Sequence, residues 1–184
     1  MAAVEVRDEP FDSPVAQQLI AELNAELERA YLPEQRFHSL APEEVAEGAG
    51  AFVVAWLDGA AAGCGAVRLI SPEDGPPAGA GAMAGAGAMA GPGAENVAEP
   101  VAELKRMYVR PSVRGRGLAR PILSTLEDRA AALGARSIVL ETGIYQPAAI
   151  GLYESAGYAR IPCFGAYAAS PTSVCYEKRL PGVS

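Results

Sequence analysis

Between Val101 and Gly143 the chain sets down a strand, a short basic joint, a helix and a second strand, and this unit limits the folds open to it. The run 101–110, "VAELKRMYVR", is apolar and β-prone and stops at Pro111. In the joint "PSVRGRGLA" two arginines alternate with two glycines. An Ala- and Leu-rich pattern then predicts a helix over about 116–133, closed by Gly134 as C-cap. "RSIVLETG" follows as a buried strand, parallel to the first and joined to it by a crossover helix. The class this predicts is mixed α/β.

The flanks fill in the rest. "VEVRDE" (Val4–Glu9) alternates like a strand. A helix follows with Asp12 or Ser13 as N-cap, Pro14 at its first position and Val15, Leu19, Leu23, Leu27 and Tyr31 at helical spacing; Pro33 ends it. "APEEVAEG" predicts a short second helix, opened by Pro42 and closed by Gly48. "AFVVAWL" and "AAGCGAVRLI" flank Asp58-Gly59 and read as a hairpin. "QPAAIGLYESAG" reads as a short helix with Pro147 in its first turn, and "YARIPCF" and "TSVCYEKRL" as closing strands. The expected order is β-α-α-β-β-β-α-β-α-β-β in one domain, residues 1–184. Within it, 71–99 stands out as a low-complexity insertion loop: "AGAGAMAGAGAMAG" has almost nothing to bury and cannot offset its ordering entropy.

Composition excludes several function classes. With 184 residues, half of them hydrophobic, there is material for a full core. The net charge of −7 argues against a nucleic-acid partner. No apolar run is long enough to span a membrane, and the acidic, polar start lacks a signal-peptide core, so a cytoplasmic protein is expected. Cys64, Cys163 and Cys175 are odd in number and form no CxxC pair; they read as separate buried thiols in a reducing compartment, with no zinc or other metal site. The single histidine, His38, restricts any histidine-based nucleophile chemistry to that residue.

The joint carries the chemistry. On strand 101–110 the apolar parity switches from Leu104 to Met107 and Val109, which calls for an extra residue near Lys105–Arg106, a β-bulge. Gly115 and Gly117 leave the amide groups of residues 114–119 open to a ligand; the next helix adds unpaired donors and its positive end, and Arg114 and Arg116 add charge. Two readings stand at this point, a pocket for phosphate or pyrophosphate and an ordinary basic glycine turn. A P-loop is excluded because no Gly-Lys-Ser/Thr follows, and a dinucleotide fingerprint because Arg120 stands where a small residue is needed.

Two segments together resemble the GNAT superfamily of N-acetyltransferases. "VRGRGLA" is similar to its acetyl-CoA signature, through Arg114, Gly117 and Ala119, and "AAIGLYESAGY" to its later motif, through Ala149, Leu152, Tyr153, Gly157 and Tyr158. The resemblance covers about residues 50–180. It implies a central, mostly antiparallel sheet splayed at the bulged strand, with helices on both faces. It implies acetyl-CoA as cosubstrate, its pyrophosphate held by the main chain of Arg114, Gly115, Arg116, Gly117, Leu118 and Ala119. The pantetheine arm would lie along Met107, Tyr108 and Val109, with an amide there polarising the thioester carbonyl. Tyr153 falls where the family often protonates the leaving thiolate, and Glu103 where one branch keeps its general base; Glu141 is the rival base, and ordered water the alternative to both. "QPAA" departs from the family's Asn-x-x-Ala, so Gln146 keeps the amide on a longer reach.

For the acceptor, the resemblance points to "YLPEQRFHSL" and "PCFGAYAASPTS". Arg36, His38, Arg68, Arg106 and Tyr167 are candidates to hold a carboxylate, making the acceptor an amino acid or related small amine, while the acidic balance favours a cationic amine. A non-catalytic acyl-CoA-sensing module and a protein N-terminal or lysine acetyltransferase are the alternatives. A homodimer is an expectation drawn from the resemblance.

Overall fold

The structure, a computed structural model, describes residues 3–32, 40–76 and 99–181. Arg36, His38 and most of the 71–99 insertion fall outside them. The elements are β1 (Val4–Asp8), α1 (Pro14–Ala30), β2 (Gly50–Leu57), β3 (Ala60–Ile70), β4 (Val101–Val109), α2 (Ala119–Ala132), β5 (Ser137–Gly143), α3 (Pro147–Ser155), β6 (Ala159–Ile161) and β7 (Ser173–Arg179). They make one seven-stranded sheet in the order β1-β2-β3-β4-β5-β7-β6. Every neighbouring pair is antiparallel except β4 with β5, which α2 joins as the crossover.

Local chemistry sets the element ends. Ser13 Oγ accepts from the Ala16 amide at 3.2 Å and Pro14 occupies the first helical position, so α1 starts where an orphan donor is satisfied. Asp58 and Gly59 both take positive φ, 50° and 80°, the geometry of a two-residue hairpin turn. At the end of α2, the Ala135 amide reaches Ala130 O (3.0 Å) and the Gly134 amide reaches Ala131 O (2.9 Å), a Schellman closure.

Side-chain alternation sends the sheet's two faces into separate cores. Val53, Ala55 and Leu57 of β2 pack with Ile122, Leu123 and Leu126 of α2. Phe52 and Val54 point the other way, to Ala16, Leu19, Ile20 and Leu23 of α1. Helices therefore cover both faces, as the resemblance implies. A third cluster, Val139, Ile161, Phe164, Tyr167 and Cys175, is roofed by the segment between β6 and β7.

Three expectations need correction. "APEEVAEG" forms only a 3-10 turn, Pro42–Val45, with no buried residue: it offers too little apolar surface to stabilise a helix shorter than an isolated one needs to be. The helix expected from about residue 116 begins at Ala119, leaving 114–118 as irregular backbone. Cys163 and Cys175 are not separate thiols but a disulfide, formed where the chain leaving β6 returns beside β7. That pairing removes the cysteine argument for a reducing compartment. Cys64 is free and buried, and burial pushes its thiol up to about 12.

The disulfide closes a loop over a sequence separation of 12, which the chain-entropy account converts to about 2–3 kcal/mol of stability. Treatment with a dithiol reductant, or Cys163→Ser, is expected to lower the denaturant midpoint by that equivalent. An unchanged midpoint would count against the link.

Candidate active site

The site begins with one surplus residue. Cys64 of β3 faces Tyr108 of β4 and Ala66 faces Lys105, so one residue on β3 is matched by two on β4. Arg106 takes φ 58°, the left-handed conformation of a bulge residue. Before the bulge, Ala102 and Leu104 pack toward α2; after it, Met107 and Val109 do, while Tyr108 turns to the α1 core. Without the extra residue every side chain beyond it would land on the wrong face.

The bulge coincides with a split in the sheet. The β4–β5 ladder runs from Val101↔Ser137 to Leu104↔Leu140 and ends there. Beyond it the strands part around a cleft of about 680 Å³. The Arg110 amide donates to Ala62 O (2.9 Å), so alternation turns the Tyr108 main chain toward β3 and those of Met107 and Val109 into the cleft. The Val109 carbonyl accepts from Arg114 Nε at 2.9 Å, in keeping with that direction.

At one end the cleft meets the joint. Among the described residues, no protein acceptor lies within hydrogen-bond geometry of the amide nitrogens from Gly115 to Arg120, and α2 has no side-chain cap. Pro121, in the first turn, forfeits no helical bond. Gly115 and Gly117 take φ of 77° and 81°, and a Cβ on either would meet nothing within 4 Å. Backbone conformation, not crowding, is what demands glycine there. Arg114 lines the cleft and pairs with Glu26 at 2.6 Å; Arg116 points to solvent and does not line it.

Midway sit the titratable groups. Tyr153 of α3 lines the cleft, is 5% exposed, and packs its ring against Tyr158 and Tyr176. Burial, with the nearby Glu141 charge, pushes its phenol well up, so it keeps its proton. Glu141 also lines the cleft, accepts from Ser173 Oγ at 2.6 Å, and has its pKa raised from the ordinary 4.5, chiefly by burial. Beside them Tyr31 lies directly over Gly143, with the Gln146 side-chain amide and the Tyr145 main-chain amide at its hydroxyl.

The description "Acetyltransferase (GNAT) family" matches residues 16–158. The chain belongs to the GNAT acetyltransferase family. It is 34% identical, over 95% of its own length and 95% of the other, to a protein of Azospirillum brasilense named IAA acetyltransferase. Among solved structures, a Klebsiella pneumoniae protein assigned as an acyl-CoA N-acyltransferase superposes with a TM-score of 0.68 at 28% identity, covering 97% and 98% of the two chains. The Salmonella typhimurium protein yncA, solved with acetyl-CoA, shares the fold at a TM-score of 0.63, with 16% identity and coverage of 99% and 96%. Acetyl-CoA is the cosubstrate of this GNAT acetyltransferase, as of the family.

The residues present suit that cosubstrate: open amides beside Arg114 face one end of the cleft, and the free edge of Met107 and Val109 runs along it. Of the remaining sequence candidates, Leu118, Ala119, Gln146, Arg106 and Tyr167 line the cleft. Glu103 and Arg68 do not. Glu103 is 2% exposed, with Oε2 taking Arg68 Nε (2.8 Å) and Oε1 taking the Tyr167 hydroxyl (2.5 Å). Arg68 is spent on Glu103 and Glu44. Tyr108 also lines the cleft, but its amide faces β3. Sequence reasoning missed Lys105; its one signal was a lysine sharing parity with Glu103 inside an apolar run.

Gly117→Ala is expected to cost about 1–2 kcal/mol, the penalty of a left-handed residue with a Cβ. Chemical denaturation checks the stability, and calorimetric titration with coenzyme A checks an accompanying loss of affinity. An unaltered midpoint would mean that the left-handed turn is not kept in solution.

Proposed function

We propose that this acetyltransferase transfers the acetyl group of acetyl-CoA to the primary amine of a small acceptor, by direct attack within a ternary complex. The observation that carries the reading is the cleft itself. A single bulge parts the sheet so that a free strand edge, a run of open amides, Glu141 and Tyr153 share one cavity.

Bound acetyl-CoA supplies an activated thioester carbonyl. The amides of Gly115–Arg120 and the start of α2 would hold its diphosphate, and the main chain of Met107 and Val109 its pantetheine amides. An amine is a cation at neutral pH and must give up a proton before it is nucleophilic. Glu141 is the group to take it: it faces the cleft, and burial brings its affinity for a proton closer to the working range. Glu103, fully occupied behind Tyr167, holds the wall instead. Tyr153, buried in the cleft wall, keeps its proton and can deliver it to a departing thiolate.

Thiol release from acetyl-CoA across a panel of amines tests the reading. Tyr153→Phe is expected to lower kcat about 100-fold or more while leaving coenzyme A affinity intact. Tight cofactor binding with no turnover on any amine would favour the sensing module. For Glu141 the sign follows from its role. The base works ionised, so activity falls as pH drops through its folded pKa. Since that pKa is raised, the acid limb of kcat/KM should lie above the ordinary carboxylate range. Glu141→Gln should lower activity and erase this limb; a limb that persists unchanged would exclude Glu141 as the base.

A further inference from the structure

We propose that Lys105 anchors an anionic group of the acceptor, so that the acceptor is a small amine that also carries a carboxylate. This rests on the amine-transfer reading and narrows it to a substrate class.

Lys105 lies just before the bulge, on the face of β4 that also carries Glu103, and its side chain is only 9% exposed while lining the cleft. Its ammonium donates to the Tyr167 hydroxyl at 3.1 Å. The nearest carboxylate oxygen, Glu103 Oε1, stands at 3.8 Å, an ion pair beyond hydrogen-bond reach, and already accepts the hydrogen bond of the Tyr167 hydroxyl. One of three N–H donors is therefore used among the described residues. Burying an ammonium with donors unspent is costly, and burial duly lowers the Lys105 pKa from its ordinary value.

The other cations on the cleft wall have partners of their own. Arg106 Nη1 donates to Asn24 Oδ1 (2.7 Å), Arg114 pairs with Glu26, and Arg120 donates to Ser155 Oγ (2.9 Å). Lys105 also feels Glu141, which projects into the same cleft from β5. A positive group with open donors and a hydrogen-bonded carboxylate thus share one cavity. That pairing is the complement of a zwitterion: the amine goes to Glu141 and the carboxylate to Lys105. Tyr167, fixed by Glu103, acts as a positioning residue that holds the ammonium in place.

The experiment uses the full chain and pairs each of several L-amino acids with its decarboxylated amine, comparing initial rates of thiol release. The wild type is expected to prefer the acid member. Lys105→Met should raise KM for the acids about 10- to 100-fold, the worth of a charge-assisted hydrogen bond, and erase their advantage. Losing the Lys105 charge also raises the Glu141 pKa, which acts on every acceptor alike, so the result is read as the ratio of kcat/KM within each acid–amine pair. Lys105→Arg should restore part of the preference. An equal effect on both members of each pair would overturn the proposal, since loss of structure or of proton transfer makes no such distinction. Should the wild type acetylate the decarboxylated amines and not the acids, the anchor fails and amine transfer stands; should it acetylate neither, both fall. If Lys105→Met does not fold, the wild-type preference and its change in Lys105→Arg decide the matter.

Discussion

One surplus residue in β4 governs everything downstream of it. Arg106 is accommodated in a left-handed conformation that L-residues avoid, at a cost of about 1–3 kcal/mol. The surroundings keep it there. Its guanidinium reaches Asn24 on α1, and Arg110, four residues on, makes a two-pronged pair with Glu22 of the same helix (2.9 and 2.8 Å). α1 thus grips β4 on either side of Tyr108. The gain is a strand that serves two cores and turns an unpaired edge toward β5.

A second constraint is charge taken out of water. Glu44, Arg68, Glu103, Tyr167 and Lys105 form a continuous chain of ion pairs and hydrogen bonds behind the cleft wall. Removing one member of such a chain leaves another uncompensated, so its members are bound together more by what loss would cost than by what each pair adds. Two members reach the cleft, Tyr167 with its ring and Lys105 with its ammonium, while Glu44, Arg68 and Glu103 stay behind the wall.

Much of this was legible in the residues. The parity change from Leu104 to Met107 and Val109 located the bulge, since only an inserted residue lets both sets face one core. Ser13 and Pro14 marked the start of α1, and Asp58-Gly59 the hairpin turn. The glycines of the joint pointed to open amides, although their reason proved to be positive φ rather than close approach. Long-range pairings were not legible. Glu103 and Glu141 look alike along the chain; what separates them is that Arg68 on β3 and Tyr167 beyond β6 close over one and leave the other at the split. The Cys163–Cys175 link depends on β6 lying beside β7, a register that no local signal specifies. The 3-10 turn at Pro42 shows the reverse error, with good start and stop residues around too little to bury.

The early end of the β4–β5 ladder leaves two facing rows of peptide groups inside the molecule instead of on its rim. Exposed rims invite other protein strands to add on, and proteins usually blunt them. Here the slot is walled by Leu23 and Leu27 on one side and by Leu152 and Tyr153 on the other. An intruding polypeptide would have to fit side chains against both walls at once, whereas a thin amide chain with few substituents needs no such room. On the function proposed above, the gap acts as a gauge of thickness, hospitable to a slender arm and closed to the sticky partners that threaten other open sheets.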